Sequence, residues 1–213
     1  FFSSPRIKKN NFTSNAFKLE LEWLKKIIKK IKINKLIYMS SSSVYYKKNH
    51  VIGSTKLKCE KYIIKNKNLF KNYQIWRPFN LIGNKYDNSD HFHNYLYKIM
   101  FLKNKKSHTF SGNSFDKRGY ADVNHFVKIM YKKSKIRENF VRNYGNLDLI
   151  KVSQIIDLYN IYYQRINNKK FIPMFKSKKS NSNRVRIKKN SVYFNRKSFF
   201  LLNSYLKQSL KEK

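Results

Sequence analysis

Two short runs hold the residues best placed to do chemistry. Ser40-Ser41-Ser42-Ser43-Val44-Tyr45 closes an apolar stretch, and shortly after it Ile52-Gly53-Ser54-Thr55-Lys56-Leu57-Lys58-Cys59-Glu60 opens a helical pattern. Serine hydroxyls both donate and accept hydrogen bonds, whereas a lysine ammonium only donates. Residues four apart share a helical face, so the neighbour of Lys56 one turn back is Ile52, a hydrocarbon that cannot accept a proton. Further on, Arg77-Pro78-Phe79-Asn80-Leu81-Ile82-Gly83 ends an apolar run, and Arg118 stands in Ser111-Gly112-Asn113-Ser114-Phe115-Asp116-Lys117-Arg118-Gly119-Tyr120-Ala121-Asp122-Val123. A guanidinium fork suits phosphate because it donates paired hydrogen bonds. The Arg77 to Gly83 run also reads as a strand-to-loop turn that needs Pro and Gly for backbone reasons alone.

Other polar residues read more plainly. Asn15 suits a helix N-cap. Asn143-Tyr144-Gly145-Asn146, before a helix, reads as structural. Five histidines offer no metal set, since His91 and His93 stand two apart and do not share a helix face. A single cysteine excludes an internal disulfide and a multi-cysteine zinc site. Cys59, beside Glu60, reads as a small packed side chain.

The elements that must position these groups alternate. Phe1 to Pro5 reads as the tail of a buried strand. A helix follows from about Asn15 to Lys32, with Phe17, Leu21, Leu24, Ile28 and Ile31 on one face at steps of three and four. Lys35 to Ser40 is a strand, and Gly53 to Asn66 a helix with Leu57, Tyr62 and Ile64 among its apolar positions. Tyr73 to Trp76 is a strand running into the turn at Arg77 to Asn80. Helix, strand, helix, strand in these lengths indicates a parallel sheet with covering helices. Beyond Gly83 the pattern predicts helices over Phe92 to Leu102, Asp122 to Lys133 and Val152 to Tyr163, a terminal helix after Arg196, and strands near Thr109, near Tyr120 and up to Tyr144-Gly145. Lys176 to Asn183 reads as a solvated loop.

In this order and spacing the motifs resemble the NAD-dependent epimerase/dehydratase family of extended short-chain dehydrogenases. The serine run resembles that family's strand end before Val-Tyr-Gly, and Gly53, Thr55, Lys56 and Glu60 match its Tyr-Gly-x-Ser-Lys-x-x-x-Glu. The resemblance implies an α/β fold: an incomplete Rossmann-like parallel sheet with covering helices, plus a smaller C-terminal α+β substrate lobe. It places the C-terminal part of an NAD-binding domain at 1–83 and a substrate lobe at 84–213, with segments returning to the sheet. It implies NAD or NADP as cofactor and a nucleotide-sugar as substrate. Ser41 takes the place of the catalytic serine or threonine, and Lys56 that of the lysine holding the nicotinamide ribose. Asn15 and the Phe79 backbone would lie beside the cofactor, Asn80 would bind the nucleotide-sugar, and Arg118 would clamp its diphosphate. Arg6 is a further candidate for a cofactor phosphate.

The chain departs from the family in several places. Ile52 stands where the family has its catalytic tyrosine, whose phenolate takes the sugar hydroxyl proton as hydride leaves for NAD; a positioned base is worth about 10² to 10⁴ in rate. His50, Tyr45 and Tyr46 can exchange protons, yet none has the four-residue relation to Lys56. The loop between Tyr45 and Ile52 is short where the family has a longer one. Gly119 replaces an acidic residue, and Asn124 lies near a second acidic position. No Gly-x-Gly-x-x-Gly or Gly-x-x-Gly-x-x-Gly occurs among the five glycines, so the loop that brings backbone N–H groups to a pyrophosphate is missing. The first residue is Phe1 and not methionine, which fits an N-terminally truncated member of that family; two cases stay open, dinucleotide affinity severely reduced if the chain is whole, and intact if an upstream segment carries that loop.

Composition sets the remaining expectations. With 41% hydrophobic and 16% aromatic residues the 213-residue chain can fill a core. A formal charge of +37 would attract nucleic acid or anionic membrane. The excess is mostly lysine, accompanied by the Asn, Ile, Phe and Tyr of A- and T-rich codons, and is spread along the chain; a nucleic-acid partner is therefore not the favoured reading. No apolar run reaches the roughly 20 residues that span a bilayer, and no signal-peptide core is visible, which fits a cytoplasmic protein without membrane partner. Three functions remain open: an NAD-dependent nucleotide-sugar epimerase or dehydratase, a pseudoenzyme binding nucleotide-sugar or a protein partner, and a basic nucleic-acid-binding protein. The resemblance also implies a homodimer formed through the helix from Asn15 and the helix from Gly53.

Overall fold

The computed structural model describes residues 14–45, 51–83, 92–101, 107–111, 113–170, 172–176, 192–193 and 197–211. In chain order the elements are α1 (Ser14–Lys30), β1 (Ile33–Met39), a 3-10 turn (Ser42–Tyr45), α2 (Val51–Lys65), β2 (Phe70–Pro78), β3 (Asn80–Ile82), α3 (Phe92–Met100), β4 (Ser107–Ser111), β5 (Lys117–Arg118), β6 (Tyr120–Asp122), α4 (Val123–Ser134), β7 (Phe140–Gly145), β8 (Ile150–Lys151), α5 (Val152–Asn167), β9 (Ile172–Lys176), β10 (Val192–Tyr193) and α6 (Ser198–Lys211). They form two compact units. One takes Phe1–Phe79, Phe126–Tyr144 and Val185–Val192; the other takes Asn80–His125, Gly145–Arg184 and Tyr193–Lys213.

The first unit is built on a sheet of order β1-β2-β7-β10. β1 runs parallel to β2 from Ile33↔Phe70 to Met39↔Trp76, and β2 parallel to β7 from Gln74↔Phe140 to Pro78↔Tyr144. Parallel neighbours need a crossover, and α2 supplies it between β1 and β2. Leu24 and Ile28 of α1, Leu36 and Tyr38 of β1, Cys59 and Ile63 of α2, and Phe70 and Ile75 of β2 form one core cluster. Beside it Trp76 meets Phe126 and Phe140 edge to face at 5.8 and 5.0 Å, a geometry favoured by the ring quadrupoles.

Two details of the periodic pattern shift. α1 stops at Lys30, so Ile31 leaves the helical face and is exposed. On α2 it is Ile63, not Ile64, that is buried. The end of α4 is completed from a distance: the Lys35 ammonium donates to the carbonyls of Ser134 and Ile136, and the Gln74 amide to those of Lys133 and Ile136. Cationic and amide donors at a helix C-terminus satisfy carbonyls that have no partner within the helix.

The second unit holds three small strand pairs: β3 with β6 and β4 with β9, both parallel, and β5 with β8, antiparallel. Asp122 opens α4 by accepting from the backbone N–H groups of Asn124 and His125 at 2.6 and 3.2 Å. α3 and α5 pack through Leu96, Ile99 and Met100 against Ile156, Tyr159 and Tyr163. α6 joins them through Tyr97 Oη, which donates to the Ser209 carbonyl at 2.8 Å, and through Tyr205 Oη, which donates to Asn94. Asn146 is the structural residue expected of it, its amide donating to the Tyr120 carbonyl at 3.0 Å. Strands over Asn80–Ile82, Lys117–Arg118, Ile150–Lys151 and Ile172–Lys176 add to the expected elements. Phe1 to Pro5, Arg6, Tyr46, His50, His91 and all of Lys176 to Asn183 except Lys176 lie outside the described residues. Among the described helices none is long and apolar enough to cross a membrane.

Candidate functional site

In the first unit the serine-tipped strand and the Gly53 helix lie side by side. A Cβ on Gly53 would fall 2.1 Å from the Ser43 carbonyl oxygen and 2.8 Å from its carbon. Only a residue without a side chain permits that approach. Replacing Gly53 with Ala forces backbone to move, and we expect a loss of about 2–3 kcal/mol, read as a lower midpoint in urea with unchanged slope. A midpoint equal to that of the native chain would show that α2 does not press on the serine turn.

The serines divide their work. Ser40 N–H continues the ladder to the Trp76 carbonyl at 2.8 Å, and its hydroxyl donates to Glu60. Ser41 Oγ accepts from the Ser43 N–H at 3.1 Å, which shapes the turn. Glu60 also takes two hydrogen bonds from Arg77, one from Nε at 2.9 Å and one from Nη2. Nη1 of that arginine donates to Tyr45 Oη at 2.8 Å, and Tyr45 in turn donates to Asn143 at 2.8 Å. Burial works against the Arg77 charge, but hydrogen bonding to Glu60 and its charge outweigh this and raise the pKa. With both its bonds engaged, Tyr45 serves as an anchor across β1, β2 and β7.

Lys56 is turned inward. Its ammonium donates to Glu20 Oε1 of α1 at 2.6 Å and to the Met39 carbonyl at 2.8 Å, and lies 5.0 Å from the centre of the Tyr38 ring. Tyr38 Oη donates to the same carboxylate oxygen at 2.9 Å. Burial first, then the nearby Cys59 and the Glu20 charge, push the Tyr38 phenol far above its ordinary range. Burial also lifts the Cys59 thiol to about 11, so it is no ready nucleophile. Ile52 stands half-buried in the first turn of α2, one turn ahead of Lys56. The chemistry of this donor set is that of a closed ion pair, and it does not fit the grip on a nicotinamide ribose that the sequence motif implies.

Asn15 lies within the first turn of α1. Phe79 is half-buried, and its N–H donates to the Tyr144 carbonyl at 2.8 Å. In the second unit Asn80 is exposed on β3, and its amide donates at 3.1 Å to the carbonyl of Gly119, the residue that follows Arg118. Arg118 lies with its guanidinium 4.6 Å from the centre of the Phe92 ring and beside Tyr120, whose pKa burial raises to about 12 against the lowering effect of that charge. Gly119 packs on the Asn146 carbonyl and the Leu149 side chain, where a Cβ would sit 2.8 and 2.9 Å from them. His93, one of the metal candidates set aside above, is buried edge-on between Tyr120 and Tyr205. Among the described residues no group of His, Cys, Asp and Glu could hold a metal ion. Glu20 had no part in the motifs; its signal was a carboxylate four residues before Leu24 and eight before Ile28 on the buried face of α1.

No family model matches the chain, and no curated protein sequence matches it. Its fold does match solved structures. UDP-glucuronic acid 4-epimerase from Bacillus cereus, in complex with NAD, superposes with a TM-score of 0.66 at 19% identity, over 98% of this chain and 72% of that one. MoeE5 in complex with UDP-glucose and NAD gives 0.65 at 15% identity, over 93% and 71%. UDP-N-acetylglucosamine 4-epimerase, also from Bacillus cereus, gives 0.63 at 15% identity, over 97% and 76%. The chain therefore has the mixed α/β, Rossmann-like fold of the NAD-dependent UDP-sugar epimerases.

Proposed function

We propose that this chain is a nucleotide-sugar-binding relative of the epimerases that does not turn its ligand over. The observation that carries the reading is Ile52, a hydrocarbon in the first turn of α2 with Lys56 four residues on. A proton-abstracting phenolate has no place there, and Tyr45, the one described neighbour in sequence able to exchange a proton, is held between Arg77 and Asn143. Asn80, bonded to Gly119, and Arg118, the residue before that glycine, would take the nucleotide diphosphate of a UDP-sugar. NAD or NADP, if held, would lie toward Asn15 and Phe79 and act as a bound group without hydride exchange. Two copies would pair through α1 and α2, which expose Leu19 and Trp23 on one helix and Val51 and Ile64 on the other. An active NAD-dependent epimerase is the second reading, favoured by the likeness in fold.

Titrating the purified chain with UDP-glucose and UDP-N-acetylglucosamine by calorimetry tests this. Binding is expected, with Arg118→Ala weakening it about tenfold or more, as for loss of a charged hydrogen bond. NAD-dependent conversion of either sugar by the native chain would overturn the reading. Sedimentation of the same sample reports the dimer.

A further inference from the structure

We infer that Glu20 is a built-in partner for the Lys56 ammonium, a contact from α1 that closes this amine to any external ligand. The inference rests on the reading above only in taking Lys56 as the lysine of that site.

The geometry is that of a completed site. Glu20 and Lys56 side chains are 2% and 5% exposed, so neither charge is left to solvent. Glu20 Oε1 receives both the ammonium at 2.6 Å and the Tyr38 hydroxyl at 2.9 Å, and the ammonium spends a second N–H on Met39. The acid comes from α1, the amine from α2, and the two groups that complete their shell from consecutive residues of β1. One ion pair thus fastens both helices to one strand. A buried ammonium without an anion is costly, and so is a buried carboxylate without a cation. A ribose hydroxyl brings only a dipole to such a place. It cannot replace a carboxylate whose own charge would then be stranded. The lysine therefore belongs to the scaffold of this chain.

The test needs no nucleotide. Amine acylation of the native chain, mapped by peptide mass spectrometry, is expected to modify Lys56 at least about tenfold more slowly than Lys128 and Lys132, which are exposed on α4, because reaction must wait for local opening. Glu20→Gln keeps the shape and removes the charge. It should lower Tm by about 10 °C and bring Lys56 labelling up toward that of Lys128. Should Glu20→Gln not fold, Glu20→Met with Lys56→Met in one chain serves instead. That double variant is expected to fold with Tm near the native value, since the two charges leave together. Lys56 labelled as fast as Lys128 in the native chain overturns the inference, and so does a double variant no more stable than Lys56→Met alone. Absence of UDP-sugar binding would reject the proposed function and leave these readouts unaffected.

Discussion

Raising the pH above about 10 is expected to unfold the chain steeply. Burial raises the pKa of Tyr38, of Tyr120 and of Tyr159 above the ordinary 10.0. In the folded chain these phenols stay protonated where the unfolded chain has already ionised. Their contribution is full below the unfolded value and is lost as the pH climbs from there toward each folded value. Each such group withdraws about 1.4 kcal/mol per pH unit, and three together about 4 kcal/mol per unit. Against a total of roughly 5–15 kcal/mol, that exhausts the fold within a few units. The Cys59 thiol, raised from 9.0 to about 11, adds to the slope from about one unit lower. Circular dichroism and ultraviolet phenolate absorbance, followed on one sample, should show these three tyrosines ionising together with loss of structure. Smooth titration of all sixteen tyrosines with the dichroism intact would show that the three are not sealed in the core.

Glu60→Ala is the second large effect. This carboxylate, 1% exposed, receives Ser40 and both Nε and Nη2 of Arg77, so its removal strands a partly buried guanidinium and a buried hydroxyl. Breaking one side of a buried pair costs about 3–5 kcal/mol, and for a chain of this length that is a fall in Tm of about 10 °C. Glu60→Gln keeps an acceptor and should lose less. Glu60→Leu combined with Arg77→Met should recover much of the loss, because neither charge then remains. Equal Tm values for Glu60→Ala and the native chain would mean that Ser40, Arg77 and Tyr45 hold the sheet end without it.

Much of this arrangement was legible in the residues, for reasons that differ by element. α1 and α2 announced themselves through apolar residues at steps of three and four, and β1 through a short apolar run ending in serines. Gly53 was legible only through the resemblance of Gly53, Thr55, Lys56 and Glu60 to a family pattern; its packing on the Ser43 backbone is a contact from outside the helix that the pattern does not report. The strand Ile172–Lys176 was hidden by Pro173, a residue that argues against a ladder position; it pairs with Ser107–Ser111, whose own composition is polar. The partner of Lys56 was hidden for another reason. Glu20 lies 36 residues away, and sequence spacing reports only neighbours along one helix, so the motif indicated a lysine facing a ligand where the fold supplies a carboxylate.

The lysine that finishes α4 bears on how the chain assembles. Lys35 precedes the carbonyl it meets at Ser134 by 99 residues, so the last turn of that helix stays frayed until β1 has found its place in the sheet. Loop closure of that length must be met before the contact returns anything, and chains dominated by such distant pairings reach their native state slowly. During that interval the Asp122 cap can hold the start of α4, but its end lacks the Lys35 and Gln74 donors, which makes its final turn a late event in folding.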